Sequence, residues 1–194
     1  DHRDLHSFPT RRSSDLVLCH RGVPGISAPL VCWDSRGIGR IAAREIVARG
    51  HRKIAYLAMF KYSINEEQFE GFKKVLDDAG IGINEKFVLW GQAPSDRSEG
   101  GVSEEVLARL LLDNDRPTAI YCSDTSESEK VYLTALQCGL KVPKDLSIVS
   151  SDDKQHSSYI SRKLALVLKN EFDLGNKAAD LLHNMGKGDR KSVV

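Results

Sequence analysis

The sequence predicts an α/β fold, parallel sheets flanked by helices on both faces, and three observations carry that prediction. Along most of the 194 residues, short apolar runs alternate with stretches whose apolar residues recur at helical spacing. The connections between them are short, so successive strands are expected side by side and parallel. Several of the helical stretches stop at a glycine, notably Gly50, Gly80 and Gly139.

Taken in order, Val17-Leu18-Cys19 is a short apolar run before the loop Arg21 to Gly25, and Leu30 to Trp33 is a second strand candidate. Asp34 or Ser35 can cap a helix carrying Ile38, Ile41, Ala42, Ile46 and Val47. Lys53 to Ala58 reads as a buried strand. Asn65 can cap a second helix with Phe69, Phe72, Val75, Leu76 and Ala79 on its apolar side. Lys86 to Trp90 is a strand, and Ser103 to Asn114 a helix with Val106, Leu107, Leu110 and Leu111 turned inward. Thr118 to Cys122 is a strand, Glu127 to Gln137 a helix, Leu146 to Val149 and Leu164 to Leu168 strands, and Asp173 to Met185 a last helix. Pro94 to Gly101 is the one long, plainly flexible loop. In such sheets ligands bind beyond the carboxyl ends of strands, so the positions of interest follow Cys19, Ala58, Trp90, Cys122 and Val149.

Composition narrows the function by exclusion. The net charge of +1 provides no global basic field for nucleic acid. No apolar run approaches the roughly 18 to 20 residues that span a bilayer. Cys19, Cys32, Cys122 and Cys138 form no C-x-x-C pair and are expected as buried free thiols in a reducing cytoplasm. Both ends resemble translated sequencing-adapter sequence: Ser7 to Leu16 at the start, Asp189 to Val194 at the close. Residues 1–16 and 189–194 are therefore set aside as tails.

The chemical motifs are weak. Gly37-Ile38-Gly39-Arg40-Ile41-Ala42 matches the G-x-G-x-x-A of dinucleotide folds. Asp34 would stand beside the pyrophosphate, however, and Leu57-Ala58-Met59 offers no carboxylate for a ribose hydroxyl, so close helix packing is the preferred reading. Asp152-Asp153-Lys154-Gln155-His156 gathers carboxylates and an imidazole, yet consecutive residues of an extended segment point to opposite sides and no third ligand spacing follows. No metal is expected, and no cofactor. His51 follows a helix-ending glycine and suits a structural role, and there is no G-x-S-x-G elbow. No enzyme signal survives.

Several longer segments carry a resemblance. Gly50-His51-Arg52-Lys53-Ile54-Ala55, Glu70-Gly71-Phe72, Arg116-Pro117-Thr118-Ala119 through Ser123-Asp124, and Gly139-Leu140-Lys141-Val142-Pro143-Lys144-Asp145-Leu146-Ser147-Ile148-Val149 occur in fixed order. Together they are similar to the effector-binding core of LacI/GalR family transcription regulators. The resemblance implies a periplasmic-binding-protein-like type I fold, two α/β subdomains clamping a small molecule. It places the end of the first subdomain at residues 17–33, the second at 34–156 and a return to the first at 157–188. Trp33, Asp34, Asp153 and His156 fall at the crossovers. It also implies that Asp124 and Asp152 face the ligand, with Ser123, Gln68 and Arg21 beside them. Trp33 or Trp90 could stack on a sugar face, although core packing suits each better. Three departures bear on the effector: Gln68 where the family often has arginine, Ser123 where it has asparagine, and Ser150-Ser151 in place of a glycine–aromatic pair. The implied protein is a cytoplasmic homodimer sensing a sugar-like effector, meeting operator DNA only through a head that this sequence lacks. A periplasmic sugar receptor is the alternative, and a nucleotide-dependent oxidoreductase the third reading.

Overall fold

The computed structural model describes residues 16–23, 25–92, 100–153, 160 and 163–186. They fall into two units, described separately. One holds the described residues up to Trp33 and those from Asn170 on; the other is Asp34–Lys169. In the small unit β1 (Leu18–Cys19) lies parallel to β2 (Leu30–Val31), and α5 (Glu171–Gly186) packs with both.

The larger unit is built on β3 (Ile54–Ala58), β4 (Val88–Trp90), β5 (Ala119–Cys122), β6 (Ser147–Asp153) and β7 (Ala165–Lys169). All neighbouring pairs are parallel, in the order β4-β3-β5-β6-β7. The central strands β3 and β5 are buried at every residue, as expected where helices cover both faces. Because side chains alternate along a strand, the two faces have different contents. Ala55, Leu57, Ile120, Cys122 and Ile148 join Leu107 and Leu111 of α3 (Glu104–Leu112) and Val131 and Ala135 of α4 (Thr125–Gln137) in one apolar cluster. On the opposite face Tyr56 and Tyr121 meet the rings of Phe69 and Phe72 from α2 (Ser63–Asp78).

Helix α1 (Ser35–Ala48) starts at an Asp34 cap whose Oδ1 accepts from the Gly37 amide at 2.7 Å. Its glycine motif is a packing device. A Cβ on Gly39 would lie 1.9 Å from the Gln68 carbonyl oxygen of α2, and one on Gly71 would lie 2.0 Å from the Arg36 carbonyl oxygen of α1. Each helix thus removes a side chain where the other's backbone passes.

Several expectations change. Asn65 is not the cap of α2, which begins at Ser63; its Nδ2 donates to the Phe60 carbonyl instead. Helix α4 begins two residues early because Asp124 caps it. The strand expected to return to the first subdomain is β7, fifth in the larger sheet, paired from Val149↔Ala165 to Asp153↔Lys169, and the chain passes to the other unit after Lys169. That register is a long-range pairing which local sequence does not encode. Finally, Cys19 and Cys32 are exposed rather than buried, since each lies in a strand or loop of the thinly covered two-stranded sheet. Among the described residues no helix is long and apolar enough to cross a membrane.

Candidate functional site

The carboxyl end of β5 carries the most organised polar cluster. The Ser123 amide donates to the Leu57 carbonyl at 2.9 Å, which continues the sheet one residue past β5 and leaves Ser123 buried. Its Oγ donates to Asp124 Oδ2 at 3.2 Å, while Asp124 Oδ1 accepts from the Glu127 amide at 3.0 Å and caps α4. A carboxylate here is favoured by the helix dipole and by two donors. Asp124 is half-buried, and each of its oxygens keeps a lone pair for a further donor.

Behind it, on the α2 face, Gln68 is only 4% exposed and its Oε1 accepts from the Tyr121 hydroxyl at 2.9 Å. The same hydroxyl meets Ser151 Oγ at 2.7 Å. Burial pushes the Tyr121 phenol well above its usual range, Ser151 pulls it back, and the negative Asp124 nearby adds to the rise. Tyr56, equally buried and also raised by burial, then by Tyr121 and Asp124, donates to the Asn65 carbonyl at 2.7 Å. Trp90, at the end of β4, packs its ring 5.4 Å from Tyr56 and 5.7 Å from Phe69, with Lys61 Nζ 5.9 Å over it.

On the other face of the sheet, Glu127 is fully buried and pairs with Lys130 at 2.9 Å, and Lys130 also donates to the Val102 carbonyl at 3.1 Å. Burial raises the Glu127 carboxyl above its usual range, and Lys130 draws it partly back. Its Oε2 has no hydrogen-bond partner among the described residues. A Cβ on Gly101 would lie 2.3 Å from Glu127 Oε1, so the chain segment entering α3 passes directly against this carboxylate. A cavity of about 420 Å³ opens alongside, lined by Leu89, Trp90, Gln92, Val106 and Lys130 among others.

The expected ligand residues therefore meet different fates. Ser123 and Asp124 are hydrogen-bonded to each other, and Gln68 joins the buried network through Tyr121. Asp152 and Asp153 are the last two residues of β6, opposite Leu168 and Lys169. Arg21 and Trp33 belong to the small unit. Asp34 caps α1 and pairs with Arg40 at 3.0 Å. His156 lies outside the described residues. Tyr121, Ser151, Glu127 and Lys130 were not foreseen. Asp124-Thr125-Ser126-Glu127 does carry the spacing of a capping box, which flags Glu127, although its side chain turns to Lys130. No local signal marks Tyr121 or Ser151. Among the described residues there is no group of three or more His, Cys, Asp or Glu suited to hold a metal ion.

Residues 43–193 match the periplasmic binding protein-like domain family. The ribose operon repressor of Haemophilus influenzae is 30% identical over 145 residues, which are 74% of this chain and 42% of that protein. A LacI family transcriptional regulator from Mycobacterium smegmatis superposes with a TM-score of 0.72 at 25% identity, covering 92% of this chain and 63% of that one. A LacI family regulator from Enterococcus faecium, solved with bound ribose, superposes with a TM-score of 0.69 at 24% identity, covering 85% and 59%. The chain spans about half the length of the curated relatives it matches. On the family match, the strand order and the repressor relatives together, the chain belongs to the periplasmic binding protein-like domain family, with LacI/GalR repressors as its relatives.

Proposed function

We propose that this chain is the effector-binding and dimerisation core of a LacI-type transcription regulator, and that its effector is a small uncharged sugar. The observation that carries the reading is the Asp124 carboxylate, held by Ser123 and the first turn of α4 at the carboxyl end of a central strand. A carboxylate with free lone pairs accepts from neighbouring ring hydroxyls. The relatives named for ribose support the sugar class. Asp152, at the end of the adjacent strand, and Arg21 are the further proposed ligand contacts, and Trp33 with Asp34 the proposed crossover. Ligand binding would shift the relative orientations of the subdomains and so alter operator affinity in the intact regulator.

Dimerisation is read from a second observation. Val106 on α3 and Leu133 and Leu136 on α4 are 41%, 49% and 48% exposed, an apolar surface on neighbouring helices that a second copy would cover. Operator contact falls to a head outside this sequence, in the cytoplasm. A periplasmic receptor would share the clamp, but the relatives matched are repressors. The oxidoreductase reading is weakened by Gly39, whose missing side chain is used against α2 rather than a pyrophosphate.

A thermal-shift screen of the chain against D-ribose, D-galactose, ribose 5-phosphate and NAD tests this, with heparin chromatography alongside. Stabilisation by an uncharged sugar and passage through heparin are expected. Stabilisation by NAD alone, or firm heparin retention, would refute it.

A further inference from the structure

The amino ends of the strands in the larger sheet hold a second concavity. Beside the last turn of α1, a cavity of about 230 Å³ is walled by Ile46, Val142 and Val149 and bordered by Arg49, His51 and Lys163. Ser147 and Ala165, the first residues of β6 and β7, also line it, which places it at the opposite end of the sheet from Asp124. Among the described residues no carboxylate lines it. Glu45, outside the cavity, takes only Nη1 of Arg49, and the other guanidinium nitrogens make no hydrogen bond among the described residues.

The His51 ring has a fixed polarity. The Thr118 hydroxyl has one proton and gives it to the Lys53 carbonyl at 3.3 Å, so Thr118 Oγ1 accepts from His51 Nδ1 at 2.9 Å. With the proton on Nδ1, the neutral ring leaves Nε2 bare, and Nε2 has no hydrogen-bond partner among the described residues. Nε2 becomes a donor only when the ring is charged. Burial, and then the Arg49 charge, hold the His51 imidazolium below its usual range. An anion at this border supplies both an acceptor and a counter-charge.

We infer that this cavity is a second small-molecule site, taking a carboxylate with an apolar body whose charged end is held by Arg49 and by the protonated Nε2 of His51. A guanidinium fork matches a carboxylate, Lys163 adds positive charge, and the apolar wall favours an aliphatic or aromatic body. Inorganic phosphate would satisfy the cations but leave Ile46, Val142 and Val149 against water. The cavity is smaller than the roughly 300–1,000 Å³ of a drug-sized site, which limits the body to one small ring or a short branched chain. Neither Asp124 nor Gln68 lines it, so the site stands apart from the sugar reading.

Binding here takes up a proton. The charged groups around the imidazole are Arg49 with its partner Glu45, Arg52, whose Nη1 donates to the His51 carbonyl at 3.1 Å, Lys53 paired with Asp115, and Lys163. Of these side-chain types and histidine, only histidine ordinarily titrates between pH 5.5 and 8. A bound carboxylate raises the His51 pKa. Affinity is therefore highest where the free ring is already protonated and falls as pH rises from the free to the bound value.

The test titrates the full chain with sodium benzoate, benzyl alcohol and inorganic phosphate. The His51 ring signals, identified by their loss in His51→Asn, are followed by nuclear magnetic resonance. Benzoate is expected to bind saturably, to raise the His51 midpoint by about one pH unit, and to bind at least about threefold more tightly at pH 5.5 than at pH 8. Benzyl alcohol has the body without the charge and phosphate the charge without the body; each should bind at least about tenfold more weakly. Arg49→Met should weaken benzoate at least about threefold, as for the loss of a charged hydrogen bond. In His51→Asn, whose amide can still donate to Thr118, the affinity should no longer change with pH.

A His51 midpoint that benzoate leaves in place, or an affinity indifferent to pH in the parent, overturns the role of Nε2. Equal binding of benzyl alcohol overturns the anionic class, and equal binding of phosphate overturns the apolar body. No saturable benzoate binding overturns the site. The pH dependence and the three-ligand comparison are read in the parent chain, so they decide the matter even where a variant fails to fold.

Discussion

Substituting Gly39 by alanine tests the packing that holds α2, and with it Gln68, against the sheet. Alanine is the better helix former by about 1 kcal/mol, so propensity alone makes the variant more stable. The structure opposes this. The new methyl would sit 1.9 Å from the Gln68 carbonyl oxygen and 2.9 Å from the Phe72 amide nitrogen, both backbone atoms that cannot rotate aside. An ordinary carbon–oxygen contact is about 3.3 Å or more, so α2 must retreat by over an ångström along a buried face. Overpacking of this kind costs about 1–3 kcal/mol, and a backbone obstacle belongs at the upper end. The net expectation is about 2 kcal/mol of destabilisation, or a fall in Tm of roughly 4–8 °C for a chain this size. Gly37 in the same helix supplies the comparison. There the methyl would meet Asp34 Oδ2 at 2.3 Å, but that side chain is 69% exposed and can swing away. Loss of the cap, about 1 kcal/mol, offsets the gain in propensity, leaving Gly37→Ala near the parent. Urea unfolding of the two variants side by side, followed by circular dichroism, reads the difference. If Gly39→Ala is as stable as Gly37→Ala, the close approach of α1 and α2 is not what fixes this helix pair.

Other outcomes follow from the same structure. Gly175 lies inside α5 with nothing within 4 Å of the position a Cβ would take, so Gly175→Ala should stabilise by up to about 1 kcal/mol, read by thermal melting. Lys130→Met removes the partner of fully buried Glu127 and should cost about 3 kcal/mol at neutral pH, the low end for a broken buried pair because Lys130 is a quarter exposed. Its pH dependence has a defined sign. The folded-state pKa of Glu127 is raised above 4.5, so the folded protein binds the proton longer than the unfolded chain. The penalty is absent below 4.5 and grows as pH rises through the window above it, more steeply in Lys130→Met than in the parent; parallel melting curves from pH 4.5 to 8 would contradict this. Leu136→Asp charges the exposed apolar face of α4 and should shift sedimentation from dimer to monomer with the helical circular dichroism signal unchanged.

Much of the architecture is legible because burial leaves a periodic trace. The apolar runs at Ile54–Ala58 and Ala119–Cys122 are the fully buried strands, and Ile38, Ala42 and Ile46 are the buried stripe of α1. The same rule overreaches at helix margins: Ile41 and Val106 share the apolar spacing but are 55% and 41% exposed. Each lies at the edge of the stripe, and α3 is a nine-residue helix that buries Leu107 and Leu111 and packs Leu110 partly buried beside them. Helix starts depend on which side chain captures a free amide, and Asn65 spends its own on Phe60. The site is half legible. Asp124 follows a strand and precedes a helix, which is a local signal. The network that orients Gln68 is not, since alternation places Tyr121 and Ser151 on one face without saying which hydroxyl meets which. Strand β7 joins the larger sheet through register, another long-range choice.

Calorimetric titration of D-ribose into the full chain and into Asp124→Asn tests the central claim most directly. Asparagine caps helices as well as aspartate does, so α4 should keep its start while the accepting charge is lost. Saturable binding by the parent is expected, weakened at least about tenfold in Asp124→Asn, as for a hydrogen bond to a charged group, with the melting temperature unchanged. Equal affinity in the two proteins, or no saturable heat from ribose or galactose in the parent, would contradict the assignment of this strand end as an effector site.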